Sequence, residues 1–209
     1  MADLLLSPAE ARVVAALVEK SITTPQYYPM SVNAVMLACN QKSQRNPVMS
    51  LSEGDTGAAL NRLEEGKFAS RDEHSGRVVK WRQRFNHQML LQPQPLAVLV
   101  TLMLRGPQTA AELRANAVNL GGPADAAALT AAIEDLSDRA QPLATLLPRA
   151  AGQKEARYAH LLCGAPAIPE SAPVEDTPVA APSRASQLDA LEQRIAELEA
   201  RVAELERRG

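Results

Sequence analysis

The sequence predicts a mainly α fold with small β-wings: tandem winged helix-turn-helix domains, a Pro-rich linker and a C-terminal coiled-coil helix. Three observations carry that prediction. Residues 1–90 give three helical periodicities and then an alternating hairpin pattern, residues 91–163 give the same order again, and composition changes abruptly after Cys163.

In the first unit, Ser7-Pro8-Ala9-Glu10 is a capping box with proline at the first helical position, and Val13, Val14, Leu17 and Val18 form the apolar face that follows. Pro25 and Pro29 break the chain, and Ser31 caps a second helix through Val32, Val35, Met36 and Cys39. A polar stretch, Asn40 to Asn46, comes next. Ser52-Glu53-Gly54-Asp55 forms another N-terminal box, with Thr56, Ala59, Leu60 and Leu63 inward and Gly66 as the stop. The period then changes from helical to extended: Phe68 to Arg71, a turn at Asp72 to Gly76, and Val78 to Phe85. Three helices and a hairpin make the winged helix-turn-helix plan.

The second unit repeats it. Leu96 to Leu104 is an apolar helix ended by Arg105-Gly106, and Thr109-Ala110-Ala111-Glu112 is a capping box opening a short helix through Leu113. Asp125 to Arg139 is a third helix with Leu129, Ile133 and Leu136 inward, and Leu146 to Arg149 and Arg157 to Leu162 flank the turn AAGQKE.

Residues 164–183 hold five prolines among small and acidic residues, a composition that cannot bury enough apolar surface to offset ordering entropy. As a disordered linker, this stretch would span about 25 Å. In residues 184–209, Leu188, Leu191, Ile195, Leu198, Val202 and Leu205 follow 3,4 spacing, a heptad seam with mostly β-branched residues at a and leucine at d. Arg194 and Arg201 at g face Glu199 and Glu206 at e in a parallel pair, so the segment reads as a parallel homodimer coil. The other reading is an amphipathic helix folded back on its own domain.

Composition narrows the function classes. With 46% hydrophobic residues and a formal net charge of −2, the chain is globular. Leu96 to Leu104, its longest apolar stretch, is far short of the roughly 20 residues of a membrane span, and MADLLLSPAE has no positive n-region, so a cytoplasmic protein without membrane partners is expected. Cys39 and Cys163 lack CxxC spacing and His74, His87 and His160 are scattered, which suggests no disulfide framework, metal or cofactor. Phosphate-binding, nucleophile-elbow and HExxH motifs are missing, so no catalytic residues are assigned and a non-enzyme is expected.

The stretches TTPQYYPMSVNAVMLACNQKSQRNPVMSLSE, LRGPQTAAELR and GQKEARYAHL resemble the YceH family, bacterial proteins of unknown function, over about residues 7–162. The resemblance implies a tandem winged-helix fold and supplies no activity. Where the family pattern usually has an acidic residue before the proline, this chain has Asn46, which makes the loop more positive.

The winged-helix plan directs its third helix to the major groove and its wing to the backbone. Candidate contacts to duplex DNA are Lys42, Ser43, Gln44 and Arg45 in the polar stretch, Asn61 and Arg62 on the outward face of helix three, and Arg71, Arg77, Lys80 and Arg82 in the wing. The wing as a whole, with Lys67 and Arg84, sets six basic residues against Asp72 and Glu73. Against this stand Glu53 and Asp55 in the first turn of helix three, and 17 basic to 15 acidic residues across 1–163, far from a strongly basic footprint. In the second unit, Asp125, Glu134, Asp135 and Asp138 face Arg139 alone, which suits a protein partner better than DNA. Two functions therefore stay open: a transcription-regulator-like DNA binder, and a protein-protein scaffold of the kind that organises chromosomes. The basic wing residues also read as a solvated strand face, and the polar stretch as a helix cap and turn.

Overall fold

The structure is a computed structural model that describes residues 5–72, 76–149 and 153–165. Helix α1, Pro8–Thr23, starts where the capping box places it: Ser7 Oγ accepts from the Glu10 amide at 3.3 Å and the Glu10 carboxylate accepts from the Ser7 amide at 3.0 Å. Every residue from Glu10 to Glu19 is buried. A helix covered on all sides has to be central, and α1 is packed by α2 (Val32–Cys39), α3 (Glu53–Glu65) and the later helix α5 (Pro93–Arg105). Ser31 caps α2 through the Ala34 amide, and Ser52 with Asp55 forms the capping box of α3.

Strand β1, Met30–Ser31, precedes α2, while β2 (Ala69–Arg71) and β3 (Lys80–Gln83) make the hairpin after α3. The antiparallel sheet runs β1-β3-β2, with Met30 and Arg71 on either side of Trp81. Short helix α4, Phe85–Gln88, leads to α5, then α6 (Ala110–Ala117), α7 (Ala126–Ser137) and the antiparallel pair β4 (Ala144–Leu147) and β5 (Arg157–His160). About half of the described residues are helical, and both sheets are small and antiparallel.

The second half copies the first in detail. Met30 pairs with the last strand of its hairpin just before α2, and Gln108 bridges Tyr158 of the last strand just before α6. Thr109 caps α6 as Ser31 caps α2, and Asp125 caps α7 as Ser52 caps α3. A single buried apolar cluster runs from Leu6 to Leu162 through both halves, and the Leu6 amide donates to the Leu162 carbonyl at 2.7 Å.

One local expectation changes, while Gly66 stops α3 as expected. The hairpin is shorter than the stretch Val78 to Phe85, because Phe85 is fully buried 5.8 Å from the Phe68 ring and starts α4 instead, while Val78 and Val79 are exposed. Gly66 ends α3 with an ordinary φ of −75°, and Lys67 takes the positive value of 62°. Glycine is required at 66 for space, since a Cβ there would lie 2.9 Å from the Phe68 ring. Residues 166–183 of the expected linker and the heptad positions Leu188, Leu191, Ile195, Leu198, Val202 and Leu205 lie outside the described residues.

Candidate nucleic-acid interface

Burial of Thr56, Ala59, Leu60 and Leu63 turns the opposite side of α3 outward, and Asn61 and Arg62 are exposed there. The Arg62 side chain is 72% exposed, with Glu10 its one neighbouring carboxylate among the described residues, at 3.5 Å. The hairpin is clipped to this helix by Arg71. Its guanidinium lies 5.0 Å over the buried Trp81 ring, donates to Asn61 Oδ1 at 2.9 Å and pairs with Glu64 at 3.2 Å. Arg82 pairs with Asp72 at 2.8 Å and lies 5.9 Å from the Tyr28 ring, whose hydroxyl accepts from the Gln83 amide. Arg71 and Arg82 are therefore half-exposed cations whose charge is already answered within the fold.

The hairpin's uncommitted charge is elsewhere. Lys67, Arg77 and Arg84 are exposed and Lys80 is half-buried, and none has a carboxylate within 4.0 Å among the described residues. Among the described residues the Arg84 side chain makes a neutral bond, to Ser70 Oγ at 3.2 Å. In the sequence, Lys67 and Arg84 show only as part of the hairpin's excess of basic over acidic residues. At the start of α3, Ser52 donates to Asp55 from its hydroxyl and its amide, which holds that carboxyl below its ordinary value and keeps it ionised. Asp55 and the exposed Glu53 thus make the first turn of α3 repulsive to phosphate, which favours its C-terminal half and the hairpin over its N-terminus.

The polar stretch does not join this face. Arg45, expected at phosphate, is buried with no side-chain exposure: it grips Glu19 of α1 through both terminal nitrogens, at 3.2 and 2.5 Å, and donates to the Ala38 carbonyl and Gln41. It cannot reach a nucleic acid. Asn40 clamps Leu51 by a reciprocal pair of 2.8 Å bonds, Arg12 donates to the Cys39 and Pro47 carbonyls, and the Asn46 amide donates to Leu104 of α5 at 2.9 Å. The stretch is a knot that ties α1, α2 and α5 together. Lys42, Ser43 and Gln44 are exposed on it, but Ser43 and Gln44 line a cavity with α1, α5 and α6 to which neither α3 nor the hairpin contributes.

Two groups with chemical potential are silenced by burial. The Cys39 thiol, donating to the Arg12 carbonyl, is pushed up to about 12, and His160 is pushed down to about 4. Among the described residues there is no cluster of His, Cys, Asp or Glu able to hold a metal, and no helix long and apolar enough to cross a membrane.

The family model described as "Protein of unknown function, DUF480" matches residues 6–153. The chain belongs to the DUF480 family. UPF0502 proteins are its relatives: one from Pelobacter propionicus is 48% identical over 162 residues, covering 78% of this chain and 74% of that protein. UPF0502 protein GSU0233 from Geobacter sulfurreducens is 40% identical over 199 residues, 94% of this chain and 91% of its own length, and azo0627 from Azoarcus is 43% identical over 92% of this chain and 86% of its own. The YceH resemblance noted in the sequence is to this same family.

Proposed function

We propose that this DUF480 protein is a non-enzymatic, transcription-regulator-like DNA-binding protein whose first half is a winged helix set on duplex DNA. The observation that carries the reading is the exposed charge of α3 and the hairpin: Lys67, Arg77, Lys80 and Arg84 have no carboxylate within 4.0 Å among the described residues, and Arg62, beside the outward Asn61, is 72% exposed with Glu10 no nearer than 3.5 Å. The repeated order of helices, short pairing strand and hairpin supports a tandem winged helix. In this reading Asn61 and Arg62 meet base edges, the hairpin cations meet phosphates, and the C-terminal heptads pair two copies so that each raises the other's effective concentration on DNA.

A second reading, a protein-docking scaffold, is favoured by α7. Glu134 and Asp138 are exposed and lack a basic partner within 4.0 Å among the described residues, while Arg139 is spent on Asp135 and the Met89 and Leu90 carbonyls.

Fluorescence anisotropy of a random-sequence duplex across a salt series separates the two. The DNA reading expects log affinity to fall linearly with log salt, and the triple variant Arg62→Glu, Arg77→Glu, Lys80→Glu to lose about 3 from the slope if each cation holds one phosphate. No binding at low salt retires the DNA reading and leaves α7 as the surface to pursue.

A further inference from the structure

Where the knot meets the second half, a cavity of about 630 Å³ opens between α1, the polar stretch, α5 and α6. Its size is that of a small-molecule site. Its chemistry comes from two cations, Lys20 and Arg105, and four carboxamides, Gln41, Gln44, Asn116 and Asn119. A second cavity of about 330 Å³ shares Gln44, Arg105 and Asn116 with it.

Charge here is out of balance. Glu19 is the one carboxylate lining the larger cavity among the described residues, and it is consumed by Arg45 and by Lys20 at 3.4 Å. Arg105 has no carboxylate within 4.0 Å among the described residues, and it is partly buried in the field of Arg45. A guanidinium does not shed its proton at such a site, so Arg105 presents a positive charge to the cavity that Glu19 answers only from beyond 4.0 Å. Arg105 is also held in place. It is the last residue of α5, followed by Gly106 at φ 71°, and a Cβ on Gly106 would lie 3.3 Å from the Asn46 carbonyl of the knot.

We propose that this cavity binds a small metabolite bearing an oxyanion, phosphate or carboxylate, seated on Arg105 and Lys20 with the surrounding carboxamides reading its hydroxyl or amine groups. The site shares no residue with the α3-hairpin face and stands whether or not that face binds DNA.

Isothermal titration calorimetry of the full-length protein, with inorganic phosphate in one arm and citrate in the other at matched ionic strength, tests it. Saturable binding of either anion is expected, and the arm that binds tells phosphate chemistry from carboxylate chemistry. Arg105→Gln should weaken that binding by about tenfold or more, since it removes a charge-assisted bond. Gln44→Glu, which supplies an internal carboxylate beside Arg105, should weaken it as well, and Arg114→Gln on the exposed side of α6 should not. Circular dichroism of each variant checks the fold. Failure of both anions to saturate at millimolar concentration, or equal binding by wild type and a folded Arg105→Gln, would overturn the proposal. So would duplex affinity that falls in Arg105→Gln as it does in the hairpin variant, because the cavity would then be part of a nucleic-acid track.

Discussion

Replacing Arg45 by methionine keeps the volume and removes the charge from the centre of the knot. What remains is a Glu19 carboxylate 9% exposed, with Lys20 at 3.4 Å as its one cation among the described residues, and an Ala38 carbonyl without its two donors. Breaking a buried pair from one side typically costs about 3–5 kcal/mol, because the surviving charge is stranded. The orphaned carbonyl adds to this, though not in full, since both losses share one site. Urea unfolding followed by circular dichroism should therefore show Arg45→Met destabilised by about 4 kcal/mol, and Arg45→Lys not rescuing it, because a single ammonium cannot span Glu19, Gln41 and Ala38 together. Restoring balance with Glu19→Gln in the Arg45→Met background should recover part of the loss. Arg77→Met, on the exposed hairpin, should change stability by about 0.5 kcal/mol or less. A cost for Arg45→Met under about 1 kcal/mol, or a normal fold combined with selective loss of duplex binding, would refute the assignment of Arg45 to the interior.

Other expectations follow from the same geometry. Gly106→Ala should cost about 1–3 kcal/mol in the same urea assay, because φ 71° with ψ −161° is a region open essentially only to glycine. His160 has a folded value of about 4 against about 6.5 in the unfolded chain, so the unfolded state takes up the proton first. Stability should fall by up to about 3 kcal/mol as pH drops from 6.5 to 4, and His160→Gln should flatten that window. Deleting residues 184–209 should leave monomers by light scattering; an unchanged dimer would sink the coiled-coil assignment.

Much of the framework was legible because it depends on near neighbours. Three capping boxes, Ser7-Glu10, Ser52-Asp55 and Thr109-Glu112, form with the residues their three-residue spacing nominated. The fate of Arg45 was not legible, since its partner Glu19 lies 26 residues earlier on another helix and a polar sequence context looks like a surface. A signal did exist. Residues 13–18 of α1 are apolar all round, so Arg12 and Glu19 at its edges had to be buried too and needed partners. Arg71 and Arg82 were placed correctly on the hairpin, but their cross-strand and helix partners depend on register, which alternation alone leaves open.

Because α1 is walled in by helices of both halves, neither half owns it. Exchanging one repeat between relatives, or expressing residues 91–163 alone, would strip α5 of its cover on the α1 side and expose an apolar stripe. The two halves follow a similar order of elements, yet they are not separable modules: the opening helix of the first is the shared keel, and engineering and unfolding alike have to treat the pair as one object.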